Sequence, residues 1–173
     1  MTDRIFNVLF LCTGNSARSI LAESVLTKLG AGRFRAFSAG SHPKGEVHPM
    51  ALDVLKSYHF PWFGFHSKSW KEFEAPDAPQ MDFVITVCDN AAGESCPVWP
   101  GQPMTAHWGI PDPAAVEGAG QHMAFVEALG QMRRRIELFV SLPTASLERL
   151  ELEKRVRKIG KEEGATAMAK DAE

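Results

Sequence analysis

Four apolar residues, Val8-Leu9-Phe10-Leu11, run without interruption into Cys12-Thr13-Gly14-Asn15-Ser16-Ala17-Arg18-Ser19. A short unbroken apolar run reads as a strand buried on both faces. Behind the polar stretch, Ala17, Leu21, Val25 and Leu29 recur at helical spacing, and Gly30 stands where such a helix would stop. A doubly buried strand that passes through a short loop into a helix is the opening of an α/β fold. Its sheet is parallel, because only helices on both faces can bury such strands.

The loop carries chemistry as well as topology. A strand-to-helix loop aims backbone N–H groups at one spot, and the helix dipole there favours negative charge. Arg18 adds a cation with a forked donor geometry, so Thr13, Gly14, Asn15, Ser16, Ala17 and Arg18 form a candidate cradle for a tetrahedral oxyanion. Cys12 sits at the same place, where the field that binds an anion also favours a thiolate nucleophile. A Cys12 thiol titrating well below a free thiol is the expectation, with Ser19 placed to donate its hydroxyl to the sulfur. The bland alternative makes Cys12 a small buried hydrophobe and Gly14, Asn15 and Ser16 ordinary turn residues.

Further elements follow in alternation. Phe34 to Ser38 reads as a second strand, Pro49 to Tyr58 as a helix, Asp82 to Cys88 as a third strand and Thr105 to Trp108 as a fourth. Gln121 to Leu142 has the spacing of a long helix. The aromatic-rich stretch Phe60 to Glu74 is expected to pack a short helix and its loop onto the sheet. The reading is a three-layer α/β/α sandwich around a four-stranded parallel sheet. A domain over 1–142 is followed at Pro143 by a charged helical extension over 143–173. Within it, Ser146 to Glu163 has a thin apolar stripe, and Gly164 to Glu173 is expected to fray.

Bulk properties narrow the class. The chain has 173 residues, is 45% hydrophobic and carries a formal net charge of −2, which suits one soluble domain and argues against a nucleic-acid partner. No stretch approaches a membrane span, and Met1-Thr2-Asp3-Arg4 leaves no room for a signal peptide before the first strand. Three cysteines make no disulfide framework, so a reducing, cytoplasmic location is expected.

Two more features fall at the carboxyl ends of strands, where a doubly wound sheet presents its site. Asp112, held between Pro111 and Pro113, is a fixed carboxyl group suited to protonate a leaving oxygen. Cys88 ends the third strand, and Cys96 lies eight residues on, across a polar loop that can fold back. Zinc is disfavoured, because the cysteine spacing is wrong and two matching ligands are missing, so no metal site and no cofactor are expected. Two incidental cysteines remain the alternative. His107 lies near the Asp112 loop and is better suited to structure than to chemistry.

Val8 to Ser19, Phe37-Ser38-Ala39-Gly40, Val84 to Asp89 and Pro111-Asp112-Pro113 resemble, in order, the motifs of the low-molecular-weight tyrosine phosphatase superfamily. Within it they are similar to the thiol-dependent arsenate reductases. The resemblance runs from about Ile5 to Leu142. It implies reduction of arsenate to arsenite through Cys12, Cys88 and Cys96 in turn, with Asp112 assisting loss of oxygen, Asn15 bracing the loop, and thioredoxin or another thiol donor restoring the enzyme. Phosphate would be an analogue of the substrate. The sibling phosphatases carry aromatic residues after the Asp-Pro pair, whereas Ala114-Ala115-Val116 follow here. Other members bind potassium through Asn, Glu, Ser and Asp. Asn15, Glu23 and Ser38 match, but the fourth place falls around Lys68-Ser69, so no potassium site is expected.

Two other functions stay open at this point. One is a phosphatase that hydrolyses phosphate monoesters through a Cys12 phosphocysteine. The other is an oxyanion-sensing module without catalysis, which the complete set of nucleophile, arginine and acid disfavours.

Overall fold

The structure, a computed structural model, describes residues 4–93, 99–145 and 147–172. Cys96 and Ser146 lie outside the described residues. Four parallel strands, β1 (Phe6–Cys12), β2 (Phe34–Gly40), β3 (Phe83–Thr86) and β4 (Met104–His107), form one sheet in the order β2-β1-β3-β4. The helices are α1 (Arg18–Leu29), α2 (Pro49–Ser57), α3 (Asp89–Gly93), α4 (Gln121–Val140), α5 (Arg149–Ile159) and α6 (Ala167–Asp171).

The strand order has a functional consequence. From β1 the chain steps first to β2 on one side and later to β3 on the other. The crevice beyond the carboxyl ends of β1 and β3 is therefore the topological switch point, where doubly wound sheets bind ligands. Cys12 is the last residue of β1, and Cys88 follows β3 by two.

Alternate residues of β1 feed opposite faces, as strand pleating requires. Phe6, Val8 and Phe10 join the larger core with Ile20, Leu21 and Val25 of α1 and Phe125, Leu129, Met132 and Ile136 of α4. Leu9 and Leu11 face the smaller one, with Phe73, Met81, Val84 and Trp99. The three-layer arrangement is the one expected. Its second outer layer includes a short 3-10 helix, Trp70–Phe73, within the stretch expected to hold a short helix and its loop. The aromatic stretch before it divides: Phe60 and Phe73 are buried, but Trp62 and Phe63 lie exposed, edge to face on each other. Strand and helix ends differ from expectation by up to four residues.

The C-terminal segment departs most from expectation. Leu152, Val156 and Ile159 of α5 enter the same core as β1 and α4. Trp108, fully buried after β4, donates its indole N–H to the Val156 carbonyl at 2.9 Å. The buried guanidinium of Arg135 on α4 donates to the Glu162 and Glu163 carbonyls. Backbone acceptors thus replace water at both Nη atoms, while Nε has no partner among the described residues. Gly164 to Ala172, expected to fray, includes helix α6, with Ala169 buried.

Leu152→Ala should therefore lower the unfolding free energy by about 2–5 kcal/mol, the cost of truncating a buried leucine. Denaturant unfolding measures it. A change below about 0.5 kcal/mol, typical of surface positions, would show that α5 is no part of the core.

Candidate active site

The loop from Cys12 to Arg18 gets its shape from the segment behind it. The carbonyls of Cys12, Thr13, Gly14 and Ser16 accept hydrogen bonds from the backbone N–H groups of Ser41, His42, Lys44 and His48, at 2.8–3.3 Å. In a trans peptide the N–H points opposite to the preceding C=O. Pulling these four carbonyls outward therefore turns the amides of Thr13, Gly14, Asn15 and Ala17 toward the other side. The first turn of α1 has no side-chain cap, so its N–H groups are left for another acceptor. Gly40, which pairs with Cys12 in the sheet, allows the close approach: a Cβ there would lie 2.4 Å from the Thr13 carbonyl oxygen.

Asn15 fixes the middle of the loop. Its φ of 46° lies in the left-handed region, which asparagine tolerates better than most residues. Its side chain, fully buried, donates to Ser19 Oγ at 2.8 Å and Ser38 Oγ at 3.0 Å, and accepts from the Lys68 N–H at 2.9 Å. Ser38 in turn donates to Glu23. Burial raises the Glu23 carboxyl and lowers the Lys68 ammonium, and each charge partly offsets the other's shift. The positive charge of Lys68 thus acts on Glu23, which disfavours a second cation there. Among the described residues, no group of three or more His, Cys, Asp or Glu is placed to hold a metal.

Ser19 was expected to donate to the Cys12 sulfur. Its oxygen accepts from the Asn15 amide, and no bond from its hydroxyl to Cys12 is present among the described residues. Arg18 donates from Nη1 to the Ile110 carbonyl at 3.0 Å, and its Nη2 lies 3.7 Å from Oδ2 of Asp112. Its Nε is buried with no hydrogen-bond partner among the described residues. Asp112 is set by the stiff turn predicted for it: Oδ1 accepts from the Ala114 N–H at 3.0 Å, which leaves Oδ2 facing Arg18.

These groups enclose a cavity of about 170 Å³ lined by Cys12, Thr13, Gly14, Ser16, Arg18 and Asp112. It is smaller than the roughly 300–1,000 Å³ of pockets for drug-sized ligands and suits a small ion. His42, Lys44 and Asn90 also line it and were not singled out from the sequence. Lys44 reaches it because its N–H is one of the donors that hold the loop, a placement no local pattern announces.

Cys12 and Cys88 are both buried, with their sulfurs in hydrogen-bonding reach of each other. Their titration reverses the expectation. Cys88 is pulled down to about 5, chiefly by the hydrogen bond from Cys12 and further by the Thr13 hydroxyl at 3.6 Å and the Ala91 N–H at 3.4 Å. Cys12 is raised, first by its hydrogen bond to Cys88 and then by burial, although Arg18 pulls it down. The two thiols share one charge, and Cys88 has more donors to stabilise it.

Residues 7–156 match the family described as low molecular weight phosphotyrosine protein phosphatase. The chain belongs to that family. It is similar to the arsenate reductases of Halalkalibacterium halodurans and Shouchella clausii, 31% and 30% identical over 134 residues, or 76% of this chain and 93% of each relative. A solved arsenate reductase in the phosphate binding state is 30% identical, with a TM-score of 0.66, covering 79% of this chain and 98% of its own. A thioredoxin-dependent arsenate reductase of Corynebacterium glutamicum is 25% identical, with a TM-score of 0.56, covering 80% of this chain and 65% of that one. The family match passes Pro143 and ends in α5.

Ultraviolet thiolate absorbance against pH should show one thiolate forming near pH 5 and persisting above it. Cys88→Ala should abolish that step, whereas Cys12→Ala should move it toward the ordinary thiol range by removing the main donor. An acid step that survives in Cys88→Ala and vanishes in Cys12→Ala would reverse the assignment.

Proposed function

We propose that this chain is an arsenate reductase that reduces arsenate to arsenite by a thiol relay from Cys12 through Cys88 to Cys96. The observation that carries the reading is the buried Cys12–Cys88 pair: a second thiol shares one charge with the nucleophile, which a disulfide relay uses and hydrolysis does not.

In the proposed reaction, the amides turned inward by the outward carbonyls and the Arg18 guanidinium hold the oxyanion, which also supplies the missing acceptor for Arg18 Nε. The Cys12 thiolate forms a bond to arsenic, and an oxygen departs with a proton from Asp112. The Cys88 thiolate then attacks the Cys12 sulfur. The sulfur–arsenic bond breaks with its electron pair left on arsenic, so arsenite leaves and a Cys12–Cys88 disulfide remains. Cys96 attacks Cys88, expels Cys12 as thiolate and leaves a Cys88–Cys96 disulfide for an external dithiol to reduce. Thioredoxin is the donor we assign, on the example of the Corynebacterium glutamicum relative. A cycle that must return to free thiols belongs in a reducing compartment, the cytosol.

The rival reading within the family, hydrolysis of phosphate monoesters, lacks the apolar platform an aryl ester needs. The cavity is small, and Ala114 stands at its rim.

Coupled to thioredoxin, thioredoxin reductase and NADPH, the protein should oxidise NADPH only when arsenate is present. Cys96→Ser should release one arsenite per chain and stop as a Cys12–Cys88 disulfide, read by mass spectrometry of alkylated peptides. Normal multiple turnover by Cys96→Ser would sink the relay.

A further inference from the structure

Helix α3 is a single turn of five residues, too short to be stable without outside support. It begins at Asp89, directly after Cys88, and it carries both the Ala91 N–H bonded to the Cys88 sulfur and Asn90 on the cavity wall. What holds it comes from two distant places. Asp89 Oδ1 lies 2.8 Å from Nε2 of His107, whose ring is nearly buried and whose Nδ1 lies 2.8 Å from the Thr86 hydroxyl. The same Oδ1 accepts the Thr166 hydroxyl at 2.7 Å.

Thr166 is well fixed for this task. Its oxygen accepts from the Ala169 N–H at 3.2 Å as the cap of α6, which directs its proton to Asp89. Its own N–H donates to the Gly109 carbonyl at 3.1 Å, on the stretch leading to Ile110 and Asp112. The approach is close enough that a Cβ on Gly109 would lie 2.5 Å from Asp89 Oδ1. The segment is tied down on both sides of the crossing, by Arg135 on the Glu162 and Glu163 carbonyls and by buried Ala169. It follows α5, beyond residue 156 where the family match ends.

We infer that residues 160–172 form a strap that positions the Cys88 turn: Thr166, bonded at once to the Asp89 carboxylate and the Gly109 carbonyl, holds α3 folded so that Cys88 stays seated against Cys12. Thr166, Asp89 and His107 are thus positioning residues for the second thiol, and the kinetic part of this inference rests on the proposed relay. The strap opposes one step and assists another. Attack of Cys88 on Cys12 needs the folded turn, whereas transfer of the disulfide to Cys96 needs α3 to release Cys88.

The test uses the full chain with Thr166→Val, which keeps the size and β-branching and removes the hydroxyl. In the reduced protein, amide exchange in α3 and alkylation of Cys88 should each rise about tenfold, as expected for loss of a hydrogen bond to a charged group. Amides of α1 and α4 should be unaffected. In a single turnover with arsenate, formation of the Cys12–Cys88 disulfide should slow, while its passage to Cys96 should not. Thr166→Ser should restore both rates. Asp89→Asn, which keeps the shape and removes the charge, should loosen α3 alone in the same way if the valine variant fails to fold. Unchanged α3 exchange and Cys88 alkylation in both variants, or a rise spread evenly over all helices, overturns the strap. If α3 loosens as expected but the parent protein turns over no arsenate, the strap stands and the arsenate reading falls.

Discussion

The site depends on the direction of four carbonyl groups. A loop between a strand and a helix has as many C=O as N–H groups, and left alone it presents both to solvent. Here residues 41–48 offer their own N–H groups to the outer side of the loop, so the oxygens turn away and the amides converge. The cradle is positive because another backbone segment takes up its negative ends, before Arg18 adds any charge. The pairing of Cys12 with Gly40 brings the two segments together, and a side chain at Gly40 would push them apart.

That convergence explains why two thiols can be buried side by side. Burial alone raises a thiol and keeps it neutral. The Arg18 field, the Thr13 hydroxyl and the Ala91 N–H favour one negative charge, and the geometry gives most of these donors to Cys88. On the proposed reaction this order is useful. Cys12 must lose a proton to attack, and the Cys88 thiolate beside it is a ready acceptor. Cys88 must then lose that proton again to attack Cys12. The oxygen atoms on arsenic, which become more basic as arsenic is reduced, are within the same small cavity to take it. One proton can thus move between neighbouring groups while charge stays in the cradle.

The sequence shows the parts of this site that depend on local pattern. The buried strand, the helix behind it, the Pro111-Asp112-Pro113 turn and the placement of Cys88 at a strand end could all be read, because each is set by residues within a few positions. The sharing of charge between the two sulfurs could not be read. It depends on which donors reach which sulfur across β1 and β3, a property of register. Ser19 illustrates the same limit: it stands next to Arg18 in the chain, yet its acceptance of the Asn15 amide depends on the left-handed turn at Asn15. Lys44 and His42 enter the cavity only because their segment is recruited to hold the loop.

The C-terminal segment was harder to read for a thermodynamic reason. A stripe as thin as Leu152, Val156 and Ile159 is what a weakly attached surface helix also shows, and charged residues fill the remainder of α5. What decides its fate lies elsewhere in the chain. Trp108 follows β4 with an indole N–H that must find an acceptor once buried, and Arg135 lies on the buried face of α4 with a guanidinium to satisfy. The Trp108 N–H finds the Val156 carbonyl, and the two Nη atoms of Arg135 find those of Glu162 and Glu163. Leaving either group buried without its acceptor costs about 1–3 kcal/mol or more. The polar groups of the main core therefore hold this segment as firmly as its own few apolar side chains do. The same backbone, drawn in by Trp108 and Arg135, is thereby brought past Gly109 and Asp89, next in the chain to Cys88.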